Sequence, residues 1–393
     1  MKKLFFTAAL SLLVMGVFAQ KKVMKSAEKA FKKGSYEEAE TLAKQASENA
    51  ETSGNSSVYS LLGKISLQRF IDGGLEDLDQ ARESLNRFNK ALEIAEPKAK
   101  EDILEPALTN PLDETQAVGG QQIGLLEYWL VSVANKALGE EDYAKAYPYL
   151  DLAYQITPSV DRAFFTGYSA DNVDNVEKAA EYFKIVIAAE EAYSNKSYAY
   201  QKLIQNSIDG EKYDDALEVI RSAQDSFPDE KLYGNWEVEV LIKAEKMGEA
   251  ITNLKKIVAD GGADKVTYYT LGFLQWNNEE LADAEVSAMK ALELDPEYLD
   301  AFYVGGSVIF NQGVEIMKEA SMSVDDDATY DAKKKEAHDK FNKALPMFEK
   351  LLAADPNDVY ALRPLSTIYD QLGMDEKRDA TLDKLEKLEE GGN

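Results

Sequence analysis

The chain has no cysteine among its 393 residues. That excludes disulfides, thiol nucleophiles, thiolate zinc sites and a lipid-modified cysteine. Histidine is nearly as scarce. His338 is the single one, set in the charged run AKKKEAHDKF. A histidine-based metal site or a serine–histidine relay would have to be built on that one ring. The run reads instead as an exposed helix face. Positive charge is also short: 44 Lys and Arg stand against 71 Asp and Glu, a net charge of −27. Such a surface repels phosphate backbones, so nucleic acid is not an expected partner. It keeps a chain soluble and favours basic partners. Beyond residue 19 no apolar run reaches the roughly 20 residues that a membrane-spanning helix needs.

The N-terminus carries the one long apolar run. Lys2 and Lys3 precede Leu4 to Val14, and Val17–Phe18–Ala19 follows with a small residue at its end. This is the pattern of a secretory signal over residues 1–19, with cleavage expected after Ala19. A membrane anchor is the competing reading, and the run is short for it. The expected location is periplasmic or secreted, without stable membrane insertion after cleavage.

The most regular stretch is residues 265–298, KVTYYTLGFLQWNNEELADAEVSAMKALELDPEY. Two amphipathic helical runs flank Asn277–Asn278–Glu279. Gly272 and Ala291 are small residues where two helices of a hairpin would cross. Leu271 and Ala288 fall on buried stripes at helical spacing. Asp295–Pro296 closes the stretch, because proline cannot continue a helix and the residue before it is pushed out of the α region. One such hairpin cannot bury its apolar face alone, so three or more must stack. The stretch, with Tyr268, Leu271, Gly272, Leu281, Ala284, Ala288, Ala291 and Pro296, resembles one tetratricopeptide repeat (TPR), whose period is about 34 residues. The resemblance implies an all-α fold: a right-handed superhelical solenoid of stacked helix-turn-helix repeats.

Nine units can be placed. Units 1 and 2 fill residues 20–97: GSYEEAETLAKQA with Gly34, Tyr36, Ala39 and Ala46, then Leu62–Gly63 and a longer second helix with Phe88 and Ala91. Residues 98–122 break the period, with Pro106, Pro111, Gly119 and Gly120. A short helix fits residues 99–108. The segment is either a functional insertion or a tolerated one. Units 3 to 9 fill residues 123–393. The third is marked by Ala134, Tyr143, Ala146, Leu150 and Pro158, with Pro148 as a candidate kink. The fourth is weaker, with Gly167, Ala179 and Phe183. The fifth carries Leu203, Tyr213, Ala216 and Pro228. The sixth ends on Gly261–Gly262 instead of proline. The seventh is 265–298. The eighth is enlarged, with Gly305–Gly306 in a first helix reaching about Met322, an acidic loop at Asp325–Asp327, and a second helix from about Tyr330 to Ala354. Its helices should project one or two turns beyond their neighbours. The last unit ends in a charged helix, DEKRDATLDKLEKLEE, suited to cap a stack.

Catalytic chemistry has little to rest on. Carboxylates are everywhere, so no acid–base pair stands out. Asp325 to Asp327 lack the alternating ligands and glycine of a calcium loop. The double glycines match no phosphate-binding loop. The expectation is a non-enzyme with no metal and no cofactor.

In the TPR family the first helices of successive units line a concave groove that holds peptides. By that spacing the partner-binding positions are Phe164, Phe165, Tyr168, Trp236, Tyr269, Phe273, Trp276, Tyr303 and Phe310. Aromatic anchors suit recognition, since they bring large area at low rotamer cost. The alternative is that several are core. Trp236, Tyr269 and Trp276 lie off the main packing stripe. The lysine–asparagine–arginine carboxylate clamp of one TPR subclass is not kept: the matching faces offer Asn135, Phe165, Gln201 and Lys202. The expected function is a protein–protein interaction scaffold or adaptor for a protein or peptide partner. The alternatives are a holdase-like assembly factor for envelope proteins, or a ligand- or metal-binding protein using the insertions.

Overall fold

A computed structural model describes residues 22–49, 52–105, 108–110, 113–119, 122–190, 192–322 and 327–390, with backbone alone over 108–119. Residues 1–19, where an export signal is expected, and Pro106, Pro111, Gly120, Asp325 and Asp326 lie outside the described residues. The helices in chain order are α1 (22–32), α2 (Tyr36–Glu48), α3 (Ser56–Asp72), α4 (Leu78–Ile94) and α5 (Pro97–Ile103). A hairpin of β1 (Leu108–Asn110) and β2 (Asp113–Gly119) follows. Then come α6 (Ile123–Gly139), α7 (Tyr143–Ile156), α8 (Val160–Asp171), α9 (Val176–Ala188) and α10 (Lys196–Asp209). After these run α11 (Tyr213–Ser226), α12 (Lys231–Lys243), α13 (Met247–Ala259), α14 (Lys265–Asn277) and α15 (Leu281–Leu294). The chain ends with α16 (Leu299–Ser321), α17 (Asp327–Ala354), α18 (Val359–Gln371) and α19 (Asp375–Glu390). No described helix is long and apolar enough to cross a membrane.

Consecutive helices pair into antiparallel hairpins through one recurring turn. Glu141, Asp174, Glu211, Glu245 and Glu279 all take φ between 55° and 61°. The next residue's N–H reaches back five positions: Asp142 to the Ala137 carbonyl (2.8 Å), Asn175 to Ala170 (2.9 Å), Lys212 to Ser207 (2.8 Å), Lys246 to Leu241 (2.9 Å) and Glu280 to Gln275 (2.8 Å). This is the Schellman closure of a helix C-terminus. Gly34 and Gly373 serve the first and last hairpins in the same left-handed conformation.

Small residues set the helix crossings. A Cβ on Gly63 would lie 3.0 Å from the Phe88 ring, and one on Gly167 3.1 Å from Phe183. On Gly272 it would lie 3.2 Å from the Ala288 nitrogen and 3.3 Å from the Ala284 carbonyl. The partner of Gly272 at the crossing is therefore Ala288 and not Ala291. Ala291 packs in the next layer, in one cluster with Ala301 of α16.

The chain forms two compact units, divided between Asn206 and Ser207 inside α10. Leu203 and Ile204 are the last buried side chains of that helix. The insertion does not divide the first unit. Phe70, Leu85 and Phe88 before it share one core with Leu126, Leu130 and Leu150 after it, and Ile103 of α5 joins them. The Tyr149 hydroxyl donates to the Leu75 carbonyl at 2.7 Å, and Lys145 pairs with Glu76 at 2.8 Å. Beyond α5, the insertion is an antiparallel hairpin in which Leu108 pairs with Gly119 and Asn110 with Asp113.

In the second unit α16 has 23 residues and α17 has 28, against 13 in α14 and 14 in α15. At 1.5 Å per residue α16 outruns α14 by about 15 Å, nearly three turns. The projection thus exceeds the one or two turns that the sequence suggests. Its seam is made of small residues. Ala320 and Ala337 are fully buried, and a Cβ on Gly313 would lie 2.7 Å from the Phe341 ring. The charged α19 buries only Thr381 and Leu385.

Candidate partner-binding surface

Tyr269, Phe273 and Trp276 stand at i, i+4 and i+7 on α14 and share one face. That face is not the packed one, where Leu271, Gly272, Leu274 and Gln275 are buried. Tyr298 caps the start of α16, Tyr303 sits one turn into it, and Tyr360 lies in the first turn of α18. The six rings form a continuous ladder across three first helices of the second unit. Tyr298 meets Tyr269 at 5.5 Å, Tyr269 meets Phe273 at 6.3 Å and Phe273 meets Trp276 at 6.3 Å. Trp276 meets Tyr303 at 5.9 Å, and Tyr303 meets Tyr360 at 6.3 Å. Four of the five contacts are edge-on, the arrangement favoured by ring quadrupoles. Phe273 is 38% exposed and Tyr360 73% exposed, so the ladder opens to solvent.

Carboxylates flank it. Burial raises the Tyr269 and Tyr298 hydroxyls above the ordinary phenol value, and Asp300 adds to both. Burial raises Tyr303 too, with Tyr360 and Asp358 adding to it. These phenols are neutral at pH 7 and present π faces and O–H donors. The Lys265 ammonium lies 5.0 Å from the Tyr298 ring centroid while pairing with Asp295 at 2.6 Å.

The other expected positions lie elsewhere. Phe164 is core, only 6% exposed. Tyr193 and Tyr198 cover it, each at 5.7 Å, and Phe183 backs it at 6.3 Å. Phe165 is half-buried and packs on the core of the preceding hairpins. Tyr168 stays at the surface of the first unit, edge-on to Tyr143 at 5.5 Å and beside Tyr198 at 5.7 Å. Trp236 is half-buried against Tyr233 at 6.2 Å on α12. Phe310 is half-buried inside its own hairpin, against Phe341 at 5.9 Å and Phe348 at 6.4 Å. Tyr298 and Tyr360 were not foreseen. The available signal was that each follows an Asp–Pro closure, 295–296 and 355–356.

His338 departs from the exposed helix face expected of it. It is half-buried, and its Nε2 is shielded with no hydrogen-bond partner among the described residues. Those residues contain no group of three or more His, Asp or Glu that could hold a metal ion.

The left-handed turn returns at residues 141, 174, 211, 245 and 279, a recurrence of about 34 residues, and the hairpins around 174 and 279 cross closely at Gly167 and Gly272. The fold is the tetratricopeptide-repeat fold. No protein-family profile matches the chain, and no curated protein matches it. Several solved structures are similar to part of it. A MamA protein is 19% identical, covering 50% of this chain and 94% of its own, with a TM-score of 0.40. A TPR repeats protein from Bacteroides fragilis is 18% identical over 62% of this chain and 98% of its own, at 0.32. YrrB, described as a TPR protein with an unusual peptide-binding site, is 20% identical over 58% of this chain and 96% of its own, at 0.37. Likeness at this level concerns the fold alone.

Proposed function

We propose that this chain is a non-enzymatic interaction scaffold of the periplasm or the extracellular space, and that its aromatic ladder holds an extended segment of a partner protein. The six-ring ladder carries the reading. Tyr360, 73% exposed, contributes little to folding. Covering about 100 Å² of such surface is worth roughly 2.5 kcal/mol at 25 cal/mol per Å². The chemistry around the rings selects cationic side chains. Asp300 and Asp358 stand beside the ladder, the chain carries −27 overall, and Lys265 over Tyr298 is an internal instance of a cation on a ladder ring. The export signal at 1–19 supports the location.

The test uses the chain from residue 20 as bait in envelope extract, beside a Trp276→Ala/Tyr360→Ala variant. A partner captured by the first and lost by the second, with equal helical circular dichroism, supports the ladder. A partner held equally by both refutes it. Cell fractionation with the mass of the mature N-terminus tests the location. A chain that keeps Met1 in the cytoplasm overturns the export reading.

One observation favours a second reading, small-ligand binding beside the insertion. A cleft of about 430 Å³ in the first unit lies between α1, α3 and α5. Burial lowers the Lys64 ammonium below the usual lysine range, against the pull of Glu28 and Asp102, and Lys64 makes no ion pair among the described residues. The Gln122 Oε1, also lining the cleft, is buried with no hydrogen-bond partner among the described residues. A melting-temperature screen of anionic metabolites on the whole chain and on Lys64→Met tests it. No shift with any compound rejects it.

A further inference from the structure

The projecting helices create a second groove, which adjoins the Trp276 end of the ladder at Leu281 and Glu315. Where α16 outruns its neighbours, it forms with α15 and α17 a cleft of about 670 Å³. Val286 and Met289 of α15 and Ile316 of α16 line it. Val286 is 62% exposed, and with Met289 and Ile316 it gives the groove an apolar floor. The α15 stripe of Leu281, Glu285, Met289 and Glu293 follows i, i+4 spacing, so the groove runs about 18 Å along that helix.

Its wall is built and held. Lys340 bonds Glu285 at 3.1 Å and also Gln312, and Lys343 pairs with the other Glu285 oxygen. The Gln312 amide donates to the Leu281 carbonyl at 3.1 Å. These contacts tie α15, α16 and α17 together at the groove, so a ligand would not have to order it. Its cations are paired: Lys340 and Lys343 share the Glu285 carboxylate, Lys290 pairs with Glu293 at 2.5 Å and Lys333 with Glu319 at 2.6 Å. Glu315, by contrast, has no ion-pair partner among the described residues, and it lines the groove. Of the charged side chains lining the groove, Glu285, Glu293, Glu315 and Glu319 outnumber Lys290 and Lys340, so the lining is acidic.

The groove walls are helices whose backbone groups bond within themselves. They offer an extended peptide no main-chain partners, whereas a helix arrives with its own backbone satisfied. We infer that this groove docks an amphipathic partner helix of about three turns, with an apolar row against Val286, Met289 and Ile316 and lysine or arginine beside it facing Glu315. A second copy of this chain is a poor occupant, since it brings another −27 of like charge.

The probe is a labelled 14-residue peptide of Ala, Leu and Lys with leucines at i, i+4, i+7 and i+11. A scrambled peptide of the same composition controls for charge alone. Anisotropy is measured on the full chain at about 0.15 M salt, where surface attraction is largely screened. The ordered peptide should bind at least tenfold more tightly than the scrambled one. Val286→Asp, at an exposed position that the fold does not need, and Glu315→Lys should each weaken it at least tenfold, about 1.4 kcal/mol. Phe273→Ala/Tyr360→Ala, which cuts the ladder, should leave it unchanged. The inference is overturned by equal binding of the two peptides, by indifference to both groove variants, or by loss in the ladder variant. It is also overturned if the chain proves dimeric and Val286→Asp makes it monomeric.

Discussion

Replacing Gly272 by alanine should destabilise the chain, although the same change elsewhere in a helix stabilises it. Alanine is favoured over glycine in a helix interior by about 1 kcal/mol. At Gly272 the new methyl would sit 3.2 Å from the Ala288 nitrogen, 3.3 Å from the Ala284 carbonyl and 3.3 Å from the Ser287 Cβ. Two of these atoms are backbone of α15 and cannot rotate away. Ordinary contact needs roughly 3.5 to 4.0 Å, so α14 and α15 must separate by a few tenths of an ångström along their whole length. Overpacking of this kind costs about 1–3 kcal/mol. The net loss is then on the order of 1 kcal/mol after the propensity gain is subtracted. Gly234 in α12 is the internal control, because nothing lies within 4 Å of its Cβ position. Gly234→Ala should stabilise by roughly 0.5–1 kcal/mol. Gly313→Ala should cost more than Gly272→Ala, since its methyl would meet the buried Phe341 ring at 2.7 Å. Urea midpoints of the three variants, followed by far-ultraviolet circular dichroism, give the order. If Gly272→Ala stabilises as Gly234→Ala does, the hairpin is not held by this close approach.

Four further outcomes follow from the packing and the charges. Burial pushes the Glu285 carboxyl up, but hydrogen bonds from Lys343 and Lys340 more than offset it, leaving it below its ordinary value of 4.5. Its contribution is therefore full above about pH 4.5 and lost as pH falls through its lower folded value. Glu285→Gln should flatten the melting-temperature profile on the acid side, and parallel profiles would contradict this. Phe164→Ala should cost about 3–5 kcal/mol as a core truncation, while Tyr360→Ala stays within about 0.5 kcal/mol. Comparable losses in urea titrations would put Phe164 at the surface. Arg221→Met leaves Glu237, 6% exposed, with only the Gln224 amide at 2.9 Å. About 1–3 kcal/mol should be lost, and Glu237→Leu in the same chain should restore part of it. Raising salt from about 0.02 to 0.2 M should increase the melting temperature. Long-range repulsion within the −27 charge is screened beyond about 10 Å, whereas ion pairs in contact are screened less. A fall would mean that the pairs dominate.

The repeat architecture was legible because it rests on local patterns. Gly63, Gly167 and Gly272 mark crossings in the sequence as they do in space. Layer assignment was harder: Ala291 and Ala288 are three apart on one helix, and spacing alone does not say which faces its own hairpin and which the next. The same limit misplaced Phe164. It stands three residues before Gly167, as Tyr269 stands three before Gly272, and only the following segment decides its exposure. Tyr193 and Tyr198 cover Phe164. The corresponding place beside Tyr269 holds Tyr298, which leaves the Phe273 end open. The left-handed Glu141, Glu211, Glu245 and Glu279 gave no signal, since glycine is the residue that ordinarily marks such a turn.

The distribution of charge ties the stack to the kind of partner it can hold. Cations are few, and many are placed between successive hairpins about one period apart. Arg69 meets Glu40 at 2.7 Å, Lys246 meets Asp214 at 2.6 Å, Lys265 meets Asp295 at 2.6 Å and Lys377 meets Glu349 at 3.1 Å. Such solvent-screened pairs add little to stability. The alanine and leucine layers therefore supply most of the cohesion, and the pairs bias the register of one hairpin on the next. Using the scarce lysines and arginines at these seams leaves acids in excess on the remaining surface. Asp300 and Asp358 at the ladder and Glu315 at the groove belong to that excess. An apolar or aromatic surface bordered in this way repels acidic segments and other copies of the chain, and it retains segments that carry lysine or arginine beside their apolar anchors.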